Sequence, residues 1–119
     1  MDIKQVYEEI NGDYEGVLSR LPKPELVQKF AIKFLDDTSV DSLSKALEED
    51  NMEEAFRAAH TLKGISLNLG FTGLFESAEV MTEALRPGNE HPSKEEVIVL
   101  FKRVEKDYLK VISSINKLL

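Results

Sequence analysis

The sequence predicts an all-α protein, an antiparallel up-and-down four-helix bundle with additional short N-terminal helices. Two observations carry this expectation. Apolar residues recur at steps of three and four over long stretches, the period of a helix face rather than of a strand. Brief Asn, Asp, Gly and Pro punctuation separates those stretches, and long helices joined by short connections pack best side by side and antiparallel. A chain of 119 residues forms one domain by the usual length prior and can bury one core. We expect a single domain over 1–119, with a helical lid at 1–22 and the bundle at 24–119.

The first segment, Asp2 to about Ile10, carries Ile3, Val6, Tyr7 and Ile10 at helical spacing, and Asn11-Gly12 stops it. Asp13 can cap a short helix holding Tyr14, Val17, Leu18 and Leu21, ended by Pro22. These two read as lid elements closing one end of the core. Pro24 suits the first turn of the next helix, whose apolar stripe is Val27, Phe30, Ala31 and Phe34. Asp37-Thr38-Ser39 breaks and re-caps the chain, and Val40, Leu43 and Leu47 mark one face of a helix ending near Asp50-Asn51. Asn51 then caps a long helix, with Glu54 at the capping-box position and Gly70 as the left-handed residue after its end. Leu74, Ala78, Met81 and Leu85 mark a further helix closed by Arg86-Pro87-Gly88. Ser93 and Glu96 open the last one, whose Val97, Phe101, Val104, Tyr108, Val111, Ile115 and Leu118 alternate steps of four and three. That is the seam of a helix packed lengthwise on near-parallel neighbours.

Composition removes several function classes. Hydrophobic residues at 42% and charged residues at 31% are a globular mixture. A net charge of −7 argues against nucleic acid or an anionic membrane as partner, since both need a cationic footprint. With no cysteine, disulfides, thiolate metal sites and cysteine nucleophiles are excluded. Met1-Asp2-Ile3-Lys4 lacks the apolar run of a signal peptide, and no apolar stretch reaches membrane-spanning length. We expect a cytoplasmic protein, and Met1 together with the capped last helix leads us to expect a free-standing one.

The helix from Asn51 to Leu69 holds the candidate chemistry. At about 100° per residue, Ala55, Ala59, Leu62, Ser66 and Leu69 share one face. His60 falls roughly 130° from the centre of that face and so points to solvent. Arg57, Gly64 and Leu67 share its side, with Lys63 between that side and the core. Gly64 is unusual, since a mid-helix glycine costs about 1 kcal/mol relative to alanine. It lies one turn beyond His60 and leaves open space beside the ring. Imidazole holds a neutral, nucleophilic nitrogen near neutral pH, and Lys63 could hold an anion as a point charge. Helix geometry alone leaves two readings open, a docking site for a reacting group or merely a solvated histidine.

The run Ala59-His60-Thr61-Leu62-Lys63-Gly64-Ile65-Ser66-Leu67-Asn68-Leu69-Gly70-Phe71 resembles the signature of histidine-containing phosphotransfer (HPt) domains. The shared pattern is His, any residue, an aliphatic, Lys, Gly, several small or mixed residues and an apolar-Gly pair. The resemblance extends from Asp13 to Leu119. It implies a four-helix bundle whose exposed His60 is phosphorylated at its outer ring nitrogen. It also implies that Lys63 helps neutralise the phosphoryl oxygens, that Gly64 provides clearance, and that Gly70 terminates the helix. Ser66 reads as a small core packer, and Leu67 departs from the smaller residue expected there.

The resemblance further implies a phosphorelay of two-component signalling. His60 would accept the group from a receiver-domain phosphoaspartate and pass it to another receiver aspartate. The partners implied are receiver domains of hybrid sensor kinases and response regulators, with Mg²⁺ on the receiver and no cofactor or metal on this chain. No Gly-rich or P-loop pattern is present, so we expect a carrier rather than an ATP-dependent kinase. Arg57, Leu67, Phe71 and Phe75 are candidate partner contacts, although Phe71 and Phe75 also read as core or staple residues. The alternative is a helical interaction module that binds receivers without transfer; the presence of both His60 and Lys63 speaks against it. A di-metal bundle site would need Glu three residues before His60, where Arg57 stands, and His91 falls in a Pro- and Gly-flanked loop. A monomer is expected, although the last helix could support a dimer.

Overall fold

The computed structural model describes residues 1–90 and 92–119, and all its regular elements are helices. They are α1 (Ile3–Glu9), α2 (Tyr14–Arg20), α3 (Pro24–Lys33), a 3₁₀ turn (Phe34–Asp36), α4 (Ser39–Glu48), α5 (Met52–Asn68), α6 (Thr72–Leu85) and α7 (Lys94–Asn116). Helices α4 to α7 form the bundle. α4 packs on α5, α5 on α6 and α6 on α7, and α7 returns to α4. The turns at 49–51 and 69–71 are too short for anything but antiparallel neighbours. His91 lies outside the described residues.

Local chemistry accounts for the helix ends. The side chains of Asn51 and Ser93 accept the backbone N–H of Glu54 and Glu96, each at 3.2 Å. The reciprocal capping box is found at α1, where Asp2 and Gln5 exchange bonds of 2.9 Å in both directions. Before α4, it is Asp37 that accepts the Ser39 N–H at 3.0 Å, while Thr38 makes no side-chain cap bond. Asp50 takes the left-handed turn after α4 at φ +55°, a conformation that aspartate tolerates better than most residues. α5 ends in a Schellman motif: Gly70 at φ +70° donates to Leu67 O at 3.2 Å, and Phe71 donates to Ser66 O at 2.9 Å.

The core runs through Val27, Leu43, Leu62, Leu74, Met81, Val104 and Ile115, all fully buried. Two expectations need correction. Phe30 is not in the apolar stripe of α3: Val27, Ala31 and Phe34 are buried, whereas Phe30 sits at the edge of that face and is exposed. Its ring lies 6.0 Å from the Lys33 ammonium. The seam of α7 is also uneven. Val104, Val111 and Ile115 are buried, but Val97, Phe101 and Tyr108 are only half-buried. An open groove separates the C-terminal part of α4 from Val97 and Phe101 of α7, so this stretch of the seam is incompletely covered.

The N-terminal helices close one end of the bundle. Ile3, Val6, Tyr7 and Ile10 are buried against the core. The Tyr7 hydroxyl donates to Leu69 O at 2.6 Å, the Asp13 N–H donates to Gly70 O at 2.8 Å, and the Arg20 guanidinium donates to Leu67 O and Asn68 O. The carbonyls of Asn68, Leu69 and Gly70 at the end of α5 are thus taken up by this segment, and Leu67 O gains a donor besides Gly70 N–H.

Candidate functional site

α5 presents two unlike faces. Ala55, Ala59, Leu62 and Ser66 are fully buried, and three of them are small, so the helix sits deep in the bundle. His60, Gly64 and Leu67 are exposed on the other side, and the Lys63 side chain, 26% exposed, lies between the two. A Cβ placed on Gly64 would meet nothing within 4 Å. The space one turn beyond His60 is therefore open.

The neighbours of His60 come from α5 and the start of the loop after α6. The His60 ring lies 5.9 Å from that of Phe56, at an interplanar angle of 52°. The Arg86 guanidinium covers Phe56 at 5.3 Å from the ring centroid, an arrangement favoured by the negative face of the ring. Arg86 in turn donates twice to Glu83, at 3.1 and 2.7 Å. That bidentate bond holds the Glu83 carboxyl below the usual carboxylate range, with the nearby Lys63 and His60 adding to the effect. Lys63 pairs loosely with Glu79 at 3.8 Å. The His60 ring makes no hydrogen bond among the described residues. No group of three or more His, Asp or Glu among them could hold a metal ion.

One antiparallel register organises this face. It sets Phe56 against Arg86 and Lys63 against Glu79, and by the same count places Leu67 level with Phe75. Leu67 is 54% exposed and Phe75 half-buried, so the two offer an apolar patch two turns from His60. Arg57 is exposed and pairs within its own helix, with Glu53 at 3.5 Å and Glu54 at 3.2 Å. Such surface pairs are weak and exchange readily. Phe71 is corrected: at 1% exposure it cannot meet a partner. As the residue after Gly70 in the Schellman motif it turns inward, packing on Phe34 and Tyr7 with ring centroids 5.2 and 5.8 Å apart.

Sequence reasoning missed Phe56, Glu79, Glu83 and Arg86. Phe56 stands one turn before His60 on the same helix and helical period could have placed it, whereas Glu79, Glu83 and Arg86 reach this face only through the packing of α6 and the chain after it on α5.

Residues 25–110 match the family described as Hpt domain. This chain belongs to that family. Membership carries a histidine phosphotransfer role in two-component signalling. The Hpt match runs from Glu25 in α3 to Lys110 in α7 and leaves α1 and α2 outside it. No curated protein and no solved structure gives a match. Among the described residues, no helix of this Hpt domain is long and apolar enough to cross a membrane.

Proposed function

We propose that His60 is the phosphoryl carrier of this Hpt domain, taking the group from a receiver-domain phosphoaspartate and passing it to a second receiver aspartate. The observation that carries this reading is an exposed imidazole with no hydrogen-bond partner among the described residues, beside the open space over Gly64.

A lone pair on the outer ring nitrogen attacks phosphorus. A P–N bond forms, the P–O bond to the aspartyl carboxyl breaks, and the aspartate leaves as a free carboxylate. The reverse displacement on a second receiver returns the imidazole. Phosphoryl transfer depends mainly on positioning and charge neutralisation. Lys63 exchanges its loose pairing with Glu79 for the phosphoryl oxygens, Gly64 leaves room for the incoming group, and Arg57, Leu67 and Phe75 meet the receiver. The receiver supplies the aspartate and Mg²⁺. This chain supplies the nucleophile and one cation, and it acts as a carrier without a kinase reaction of its own.

The test mixes the chain with a receiver bearing radiolabelled phosphoaspartate and Mg²⁺, beside a His60→Gln control. Acid-labile, base-stable label on the wild type alone is expected. Label on the His60→Gln protein would overturn the assignment. Binding to receivers without any transfer would make the domain an interaction module instead.

A further inference from the structure

α7 carries a second stripe besides the seam it buries. Ile98, Lys102, Glu105 and Leu109 follow one another at steps of four, three and four and are all exposed, Ile98 at 53% and Leu109 at 56%. That spacing is the seam of a two-helix coiled coil, yet no element among the described residues covers it. The stripe borders an open groove of about 730 Å³ between α4 and α7, floored by Leu47, Met52, Leu85 and Phe101.

We propose that this face pairs two copies of the chain, α7 lying antiparallel on α7 of the second copy about a two-fold axis between Lys102 and Glu105. The stripe is complementary to itself in that orientation. Lys102 of each copy meets Glu105 of the other, and Ile98 meets Leu109, so two ionic layers are flanked by two apolar ones. A parallel pairing would set Lys102 on Lys102 and Glu105 on Glu105, placing like charges together at the centre. A two-fold contact of this kind closes on itself and ends at a dimer.

Charge favours the same occupant. The chain as a whole carries −7, but residues 94–117 hold six Lys or Arg against four Asp or Glu. The groove beside it is edged by Glu48 of α4 and by Asp50, which Lys94 of α7 already pairs at 3.6 Å. The rest of the chain is strongly net negative, so α7 is the segment on which a second copy meets least like-charge repulsion, and the Lys102–Glu105 pairs across the axis supply the complementarity. α5 packs on α4 and α6 rather than on α7, and His60 sits by the Glu83–Arg86 end of α6. The dimer face is thus turned away from His60, both imidazoles remain open, and the inference stands apart from the phosphotransfer reading.

The test is sedimentation velocity across a concentration series from about 1 μM to about 500 μM, the range in which an interface of modest size associates. A monomer–dimer equilibrium is expected for the wild type. Lys102→Glu sets four carboxylates around the axis and should weaken association by about tenfold or more. Lys102→Glu combined with Glu105→Lys restores opposite charges across an antiparallel pair and should recover wild-type association to within about threefold. Both positions are exposed, and circular dichroism checks that the variants fold. A wild type that stays monomeric throughout, a dimer indifferent to Lys102→Glu, or a double variant that fails to recover each overturns the proposal.

Discussion

A methyl group added at Gly64 would meet no atom within 4 Å, and the residue sits in regular helix. Alanine there should raise stability by about 1 kcal/mol through helix propensity, or about 3–5 °C in Tm for a domain of this size. Glycine therefore opposes stability at this position, and the proposed reason is access to the ring. Gly64→Ala is expected to melt later yet to accept label from a phosphorylated receiver about tenfold more slowly or worse, because small misplacements of reacting groups are costly. Calorimetry and transfer kinetics on the same preparation check both arms. A variant that is more stable and transfers at the wild-type rate would remove Gly64 from the site. This residue was legible in the sequence, since a glycine four residues after an exposed histidine violates helix propensity without visible benefit. Arg86 was not. Nothing local to Arg86-Pro87-Gly88 signals that its guanidinium covers Phe56 beside His60.

At the scale of elements, the turn between α5 and α6 determines how the site helix is anchored. Gly70 has φ +70°, and a Cβ on it would approach Asp13 O to 2.6 Å. Left-handed backbone costs a non-glycine residue about 1–2 kcal/mol, and here a collision with the lid backbone is added. Gly70→Ala is expected to lower the unfolding free energy by about 2–3 kcal/mol, read as a shift of the urea midpoint with little change in slope. A loss below about 0.5 kcal/mol would mean that the turn relaxes freely. The terminator itself follows from the apolar-Gly pair Leu69-Gly70. The inward turn of Phe71 follows from the Schellman geometry, which hands the residue after the glycine to the core. A helical wheel for α5 stops before that residue and cannot orient it.

For the whole molecule, the N-terminal segment ties three elements together through Tyr7. Its hydroxyl donates to Leu69 O, and its ring packs on Phe71 and Tyr14. Burial, then the neighbouring Tyr14, pushes the Tyr7 phenol well above its usual range, against a smaller opposing effect of Arg20. An acid whose folded pKa is raised binds its proton more tightly in the folded state. Its contribution is complete below the unfolded value, about 10 for tyrosine, and fades as pH rises beyond that. Wild-type stability is therefore expected to fall steeply above about pH 10. Tyr7→Phe should lose about 1–2 kcal/mol near neutral pH, from the missing bond to Leu69 O, and show a shallower alkaline decline. Equilibrium denaturation at several pH values checks this; parallel pH profiles for the two proteins would mean that Tyr7 is not the group responsible. The Hpt match begins at Glu25, so this latch is built by a segment outside the matched region.

The all-α class, the order of the helices and the placement of His60 and Gly64 on the outer side of α5 were determined by the sequence alone. Apolar period, cap residues and helix stops are properties of neighbouring residues, and they act wherever the chain goes. Tertiary structure decided what each face meets. Phe30 and Val27 belong to one stripe by periodicity, yet only Val27 is buried, because the edge of a stripe is covered or left open by whichever helix lies beside it. Glu83 and Arg86 come to His60 through the antiparallel register of α5 and the chain through α6, and Ile98 stays exposed at a groove that α4 borders without closing. Helical period tells which residues share a face; the lengths, register and crossing of the neighbouring helices tell which face becomes core and which remains a surface.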